Sequence, residues 1–303
     1  MPNWNQILDE LKEAGSAQDI IPRKYLKKLY ETSGRNIIIY YSGWLQKPDA
    51  KGVEINDADK NGFMTVIHRL DRSKGLDLIL HTPGGDTAAT ESIVDYLRSM
   101  FGTNIQAIIP QLSMSAGTTI ACASKQIVMG KQSSLGPIDP QFGGIPAHGI
   151  VEEFQRAWDE IQVDQRKALL WQPILAKYHP TFLGECQKAL QWSDSLAREW
   201  LATGMFSEDP NAASTIDNII KELVDHALNL SHARHISMAK AMSIGLKLIE
   251  LESDPDLQDL VLSVHHSTIH TLSSTPAFKI IENHEGTAFI QAFQPLLACR
   301  TRG

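Results

Sequence analysis

The feature that most constrains the fold is a stretch of two apolar strands and two sharp turns at residues 76–141. The first strand, LDLIL, is broken by a Pro-Gly-Gly sequence at 83–85. Asp86 then follows as a helix-capping residue, and apolar side chains recur after it at helical spacing. A second strand at 105–109 leads to the segment SMSAGT, which opens another apolar helical run. This order predicts a right-handed βαβ unit with both turns at one edge of a parallel sheet.

These two turns favour the chemistry of a nucleophilic serine. Ser115 lies at a strand-to-helix junction among small residues, near the positive end of the helix dipole, where a substrate backbone can approach closely. The Ala116 amide and an amide of the Gly84–Gly85 turn can point into one space, as an oxyanion hole requires. Ser113 is the alternative nucleophile. A small-residue turn that only lets a helix pack closely on the sheet is the structural alternative.

Three segments of this stretch resemble the Clp protease proteolytic subunit and its relatives. They are TPGGD, MSAGT with its nucleophilic serine, and SSLGPIDPQ, which falls where those enzymes supply the next catalytic residue. Among these relatives, which include signal peptide peptidase A, the chain is similar to the serine dehydrogenase proteinase family. The resemblance is strong over residues 36–142 and weaker toward the C-terminus. It implies a ClpP/crotonase-like α/β fold of repeated β-β-α units around a parallel sheet, with added N-terminal and C-terminal helices.

The same resemblance implies the other catalytic residues. Asp139 stands where the Clp subunit carries a histidine, and an aspartate with a reference pKa of about 4 is a poor base for a serine at neutral pH. It can instead orient a histidine through the second ring nitrogen. Because the family's triad runs Ser, Asp, His along the chain, the expected base is His232, with His235 and His226 as alternatives.

A lysine is the other base that the sequence offers. Signal peptide peptidases use a Ser-Lys dyad in which a desolvated lysine takes the serine proton. Lys167 and Lys131 are the candidates for this role. Lys167 follows an arginine within a charged helix face, so solvated surface is the stronger interpretation of that position.

Composition argues against several other classes of protein. A net charge of −7 at pH 7 disfavours a nucleic-acid-binding surface. Three distant cysteines, Cys122, Cys186 and Cys299, indicate a reducing compartment without a disulfide framework. No signal-peptide core or membrane-spanning run is visible, so a cytoplasmic protein with no membrane partner is expected. No metal or other cofactor is expected, because His266 and His270 lack the glutamate of a helical zinc motif.

Three segments are predicted along the chain. Residues 1–34 form an N-terminal helical segment, residues 35–250 the peptidase core with a helical insertion, and residues 251–303 a C-terminal helix and strand extension. The helical period of the insertion puts Trp158 and Trp171 on one side. Its tryptophans are expected in the core or at a subunit interface.

Three functions compete. The first is a serine peptidase that cleaves peptides or unfolded proteins through an acyl-enzyme, self-compartmentalised in a homo-oligomeric ring as the resemblance implies. The second is a crotonase-like acyl-CoA enzyme, which shares the fold and the oxyanion geometry. The third is a catalytically inactive scaffold. Ser115 with an aspartate and a histidine available favours the peptidase, because enolate chemistry does not require a nucleophilic serine.

Overall fold

The structure of the protein is a computed structural model, and it describes residue 7, residues 20–224 and residues 234–293. The described strands, numbered in chain order, are β1 (Asn36–Ser42), β2 (Leu76–His81), β3 (Ile105–Ile109), β4 (Leu112–Ser113), β5 (Gln126–Met129), β6 (Ser134–Leu135), β7 (Gln141–Phe142), β8 (Ile145–Pro146), β9 (Ile236–Ser237), β10 (Leu248–Glu250), β11 (Ala277–Asn283) and β12 (Ala288–Ala292). The α-helices with described bounds are α1 (Ile20–Ser33), α2 (Ala58–Ile67), α3 (Thr87–Phe101), α4 (Ala116–Cys122), α5 (Ala147–Val163), α6 (Ala168–Leu175), α7 (Phe182–Thr203), α8 (Ala213–Val224), α9 (Met238–Ser243) and α10 (Pro255–Ser274).

The main sheet has seven strands in the order β10-β5-β3-β2-β1-β11-β12. The five strands from β10 to β1 are parallel, whereas β11 runs antiparallel to both β1 and β12. A smaller sheet has the order β4-β6-β9, and β7 and β8 form a hairpin. The parallel core followed by a C-terminal helix and strand pair confirms the predicted α/β fold. Because β2 and β3 are parallel neighbours, the turns that follow them lie at the same edge of the sheet.

Helices cover both faces of the main sheet. β1 and β2 are buried at every position, which explains why their sequences, NIIIYYS and LDLILH, read as apolar runs rather than as alternating patterns. One core lies between the sheet and helices α2, α3, α4, α7 and α8, and a second core lies between the sheet and helices α1 and α10. The chain therefore folds as three layers, helix on sheet on helix.

Helix α3 begins and ends as its sequence predicts. The Asp86 side chain accepts a hydrogen bond from the Ala89 N–H at 2.8 Å, which satisfies one of the free donors at the helix start. The helix ends at Gly102, whose φ of 61° is a conformation that glycine adopts without steric cost. These two signals fix the helix that follows the Gly-Gly turn.

The helical insertion is packed differently from the prediction. Trp171 is buried, but Trp158 is 62% exposed, and Leu169 and Leu170 are 78% and 68% exposed. Helix α5 packs on α7, and α6 packs on α5. The insertion has a small core of its own, so one helix side can face it while several apolar side chains remain in contact with solvent. Trp158 therefore lies outside the core, so of the two expected places, core or subunit interface, only the interface remains for it, and that stays a prediction.

The C-terminal segment completes the main sheet. β11 lies directly against β1, with Ile38 opposite Asn283, and α10 packs on α1. The predicted domain boundaries at residues 34 and 250 stay predictions. Of the predicted N-terminal helical segment, residues 1–19 lie outside the described residues except for Ile7, which is buried. Among the helices described, none combines the length and the apolar content that crossing a bilayer requires.

Candidate active site

Ser115 lies at a strained turn between β4 and α4. Its φ of 51° and ψ of −119° place a non-glycine residue in a region that costs about 1–3 kcal/mol. Arg69 is the only other described non-glycine residue with a positive φ. A sharp strand-to-helix turn of this kind exposes the nucleophile in hydrolases with a nucleophile elbow. Ser115 is half-buried and lines an open cleft, so a substrate can reach its hydroxyl.

Ser113, the alternative nucleophile, is placed quite differently. It is fully buried, and it is not among the described residues that line the cleft. Its Oγ would lie 2.6 Å from a Cβ added to Gly117, so the two residues are in close contact in the interior. The geometry therefore favours Ser115 over Ser113 as the reactive serine.

The Gly84–Gly85 turn packs directly against Ser115. A Cβ on Gly84, whose φ is 94°, would lie 2.6 Å from Ser115 Cβ and 2.7 Å from the Met114 carbonyl oxygen. A Cβ on Gly85 would lie 2.3 Å from the Ile55 nitrogen. These distances are shorter than any real Cβ contact, so both positions require glycine.

Backbone hydrogen bonds hold the turn on two sides. On the serine side, the Met114 N–H donates to the Thr82 carbonyl at 3.0 Å. On the other side, the Ile55 N–H donates to the Gly84 carbonyl at 2.8 Å, and the Asp86 N–H donates to the Ile55 carbonyl at 2.9 Å. The turn is therefore clamped between the serine strand and the loop that contains Ile55.

Two backbone N–H groups beside Ser115 are available as hydrogen-bond donors. The Gly84 N–H donates to Thr82 Oγ1 at 3.1 Å, so the Gly85 N–H is the remaining donor of the turn. Because the peptide is planar and trans, that N–H points opposite to the Gly84 carbonyl, away from Ile55 and toward the cleft. The Ala116 N–H opens α4 and has no acceptor within that helix. Neither of these two groups donates to another residue of the described chain.

Asp139 lines the same cleft from the segment after β6. The residue is 1% exposed. The neighbouring Ile138 is held by two helices: its N–H donates to the Leu223 carbonyl at 2.9 Å, and its carbonyl accepts from Ser193 Oγ at 2.9 Å. Helices α7 and α8 thus fix the position of the candidate aspartate, and the structure brings it into one cleft with Ser115.

The cleft has a volume of about 400 Å³. Small and polar residues of the Gly-Gly turn form one part of its lining, and α7 contributes Trp192 and Trp200. Both tryptophans were expected in the core or at an interface. Trp200 is buried as expected, but Trp192 is 40% exposed and takes part in the cleft wall.

A comparison with protein-family models matches residues 26–177, half of the chain, to the ClpP-like SDH-type serine proteinases. The chain belongs to this family. The match includes both turns and Asp139, whereas Trp192 and Trp200 of the cleft wall lie beyond it.

Similar sequences are found in an archaeon. Two uncharacterized proteins of Methanocaldococcus jannaschii are each 35% identical to this chain, over 118 and 114 residues. These matches cover 39% and 38% of this chain and 40% and 38% of the relatives, so the chain spans less than half the length of the curated relatives that it matches. Among solved structures, a membrane-bound stomatin-specific protease is 18% identical, with a TM-score of 0.39 over 67% of this chain and 77% of that one.

Two of the three candidate histidines, His226 and His232, lie outside the described residues. The third, His235, is exposed and immediately precedes β9. The chain on both sides of residues 225–233 makes defined backbone contacts: Leu223 accepts a hydrogen bond from Ile138, and β9 pairs with β6. Both flanks therefore lie next to the segment that carries the candidate aspartate.

The two candidate lysines lie away from the reactive serine. Lys167 Nζ is 3.3 Å from Glu160 on the surface of the insertion. Lys131 is exposed, and its N–H donates to a Glu252 carboxylate oxygen at 2.8 Å. Neither lysine is among the described residues that line the cleft. The described geometry therefore gives no support to a Ser-Lys dyad with either of them.

His81, which ends β2 just before the Gly-Gly turn, is a structural residue. Its ring centroid lies 4.4 Å from that of Trp44 and 5.3 Å from those of Tyr41 and His265. Burial lowers the pKa of His81 to about 3, so the ring stays neutral at physiological pH. It is not among the residues described as lining the cleft and supports the end of the strand instead.

Sequence reasoning missed two supports of the site. The Thr82 hydroxyl accepts a hydrogen bond from the Gly84 N–H. A hydroxyl that accepts from the amide two residues later is a known turn pattern, so the sequence did contain a signal for this contact. The loop at 54–56 pairs with Gly85, but its segment is rich in Pro, Gly, Asn and acidic residues, which indicates only a surface loop. No local pattern reveals that long-range pairing.

Proposed function

We propose that this ClpP-like proteinase is an active serine peptidase that cleaves peptide bonds through an acyl-enzyme on Ser115. The observation that supports this is the convergence in one cleft of a strained serine, the N–H groups of Gly85 and Ala116, and Asp139. An acyl-CoA enzyme would use the two donors without needing a strained serine. An inactive scaffold would need neither the two donors nor the strained serine. Backbone strain at a single residue is typical of functional sites, which favours a catalytic role for this serine.

In the proposed reaction, Ser115 Oγ attacks the carbonyl carbon of the scissile peptide while its proton passes to the base. The carbonyl oxygen becomes an oxyanion that accepts hydrogen bonds from Gly85 and Ala116, each worth about 3 kcal/mol in the transition state. Collapse of the tetrahedral intermediate breaks the C–N bond, and the leaving amine takes the proton from the base. Water then attacks the acyl-enzyme in the same way and releases the serine.

We propose His232 as the base, oriented by Asp139, with His226 and His235 as the alternatives. The position of the two described flanks beside the Asp139 segment supports a histidine from this part of the chain. A buried carboxylate can hold one ring nitrogen of the histidine so that the other faces the serine.

A fluorophosphonate probe tests the peptidase proposal directly, because such probes modify only activated serines. The protein is expected to be labelled covalently at one position, and peptide mass mapping should place the label on Ser115. It should also degrade an unfolded, fluorescently tagged protein. A protein that is neither labelled nor active would contradict the proposal and favour the acyl-CoA enzyme or the scaffold.

We further propose that the chain assembles with copies of itself so that the cleft opens into an enclosed space. The helical insertion supports this, because Trp158, Val163, Leu169 and Leu170 are 62–88% exposed. An apolar groove of about 300 Å³ lies beside Trp158 between α5, α6 and α7. Exposed apolar surface of this kind is typical of protein interfaces.

Light scattering on the protein at micromolar concentration is expected to give a mass several-fold above 33.6 kDa. Leu169→Glu with Leu170→Glu should lower that mass, because charge on an apolar interface disfavours association. Met64→Glu is the matched control, since Met64 is 51% exposed but lies on α2, outside the insertion. A monomeric wild-type protein would refute the assembly.

We place this activity in the cytoplasm. Cys122 and Cys186 are free, buried thiols, and burial raises the pKa of Cys122 to about 12, so this thiol is inert. Unpaired cysteines are typical of proteins in a reducing compartment. Cys299 lies outside the described residues.

A further inference from the structure

A fully buried ion pair lies behind the Gly-Gly turn. Lys279 of β11 places its Nζ 2.8 Å from Asp59 Oδ1 and 3.0 Å from Asp59 Oδ2, and both side chains are 0% exposed. The Tyr40 hydroxyl of β1 donates to Asp59 Oδ2 at 2.8 Å. Burying two charges costs solvation energy that their attraction does not reliably offset, so stability alone is a weak reason for such a pair.

The ion pair holds the backbone on both sides of Ile55. Lys279 Nζ donates to the Glu54 carbonyl at 2.8 Å from the buried side, and the exposed Asn56 side-chain amide donates to the same carbonyl at 2.9 Å. The residue before Ile55 is thus held from the core as well as within its own loop. The Asn56 N–H donates to Asp59 Oδ2 at 3.0 Å, which fixes the residue after it. Between these two anchors, the Ile55 N–H and carbonyl have a defined direction. The N–H donates to the Gly84 carbonyl, and the carbonyl accepts from the Asp86 N–H just after the turn.

The Ile55 N–H controls the orientation of the oxyanion donor. It donates to the Gly84 carbonyl at 2.8 Å, and the Gly84 carbonyl and the Gly85 N–H belong to the same planar peptide. If the carbonyl is held toward Ile55, the N–H must face the cleft. A peptide between two glycines rotates with little steric resistance, so this orientation depends on the hydrogen bond from outside the turn.

We propose that Lys279 and Asp59 are positioning residues that hold the Gly85 N–H toward the carbonyl oxygen of the substrate, acting through Ile55. The contacts form one continuous chain from the ion pair to the Glu54 carbonyl, Ile55, the Gly84 carbonyl and the Gly85 N–H. This role rests on the proposed peptidase function, because an oxyanion donor matters only where an oxyanion forms.

The test removes both charges together. A single substitution would leave an unpaired buried charge and destabilise the fold. In the double variant Lys279→Met with Asp59→Asn, the asparagine still accepts hydrogen bonds, but the Glu54 carbonyl loses its buried donor and keeps only the exposed Asn56 side-chain amide at 2.9 Å. The kcat for peptide hydrolysis is expected to fall about 100-fold, as when one oxyanion donor is lost, with KM within about threefold of the wild type. The rate of fluorophosphonate labelling should fall in parallel.

The matched control is the pair Arg35→Met with Asp77→Asn. Arg35 Nε lies 2.5 Å from Asp77 Oδ1, and the Asp77 side chain is 4% exposed. This pair touches the same strand β2 but at the end opposite the turn, so its loss should lower the melting temperature and leave kcat unchanged. Tyr40→Phe, which removes one donor to the ion pair but no charge, should lower kcat about three- to tenfold.

The outcomes separate the two proposals. Wild-type kcat in a folded double variant, or an equal fall in the Arg35–Asp77 control, would overturn the positioning role while the peptidase stands. A wild-type protein that the probe does not label would overturn the peptidase and the positioning role with it. If the double variant does not fold, Tyr40→Phe decides: unchanged kcat refutes the role, and a fall in kcat at constant KM supports it.

Discussion

Replacing Ser115 with alanine is expected to lower kcat for peptide hydrolysis by at least about 10⁴-fold. No other described serine combines a positive φ with a position in the cleft, so no group remains to form the acyl-enzyme. Fluorophosphonate labelling should disappear in the same variant. The oligomeric mass and the melting temperature should not fall, because alanine fits the turn at least as well as serine.

Ser113→Ala is the control for this experiment. Its side chain is buried away from the cleft, so the variant should keep hydrolysis and labelling within about threefold of the wild type. If the label is lost from Ser113→Ala and retained by Ser115→Ala, the nucleophile is Ser113 and the proposed geometry of the oxyanion hole is wrong.

Loss of the base is expected to have an effect of similar size. His232→Ala should lower kcat by about 10⁴-fold or more, and Asp139→Asn by about 10⁴-fold, because the amide would hold the histidine in the wrong tautomer. Only a neutral imidazole accepts the serine proton, so wild-type activity should rise as the pH increases through the histidine pKa. A neighbouring Asp139 carboxylate favours the charged ring, which moves this rise to higher pH.

Lys167→Ala and Lys131→Ala, assayed with the same substrate, are the controls for the base. Both should retain wild-type kcat, because neither side chain is described as lining the cleft. If a lysine variant alone removes activity, the histidine assignment fails. If His226→Ala or His235→Ala is the damaging change, the order Ser, Asp, His survives and the base is that residue instead of His232.

The local parts of this structure are predictable from sequence because their signals are local. β3 occupies the predicted residues 105–109, and the helix after the Gly-Gly turn begins at the predicted cap, Asp86. Parallel pairing of β2 and β3 then follows from the helix between them, and it places both turns at one edge. The nucleophile and the oxyanion turn could be predicted because each lies within a few residues of these elements.

The remaining parts depend on contacts between distant residues. β11 pairs with β1 across about 240 residues, and its Lys279 meets Asp59, which is 220 residues away. No periodic pattern of apolar residues in the sequence indicates a contact between residues so far apart. β6 and β9 contain two residues each, too few to show a strand pattern. The exposure of Trp158 could not be predicted either, because helical spacing shows which residues share a side but not whether another element covers it.

The place of β11 in the sheet has a consequence for the order in which a new chain acquires its parts. Ribosomes make the Ser115 turn and the Gly-Gly turn long before they make Lys279, and N-terminal structure forms first during synthesis. The parallel part of the sheet can therefore fold around a serine whose oxyanion donor is not yet held. On the proposed role of the ion pair, a growing chain carries its nucleophile without full activity. On the proposed peptidase function, its neighbours on the polysome would be protected from premature cleavage until β11 joins β1.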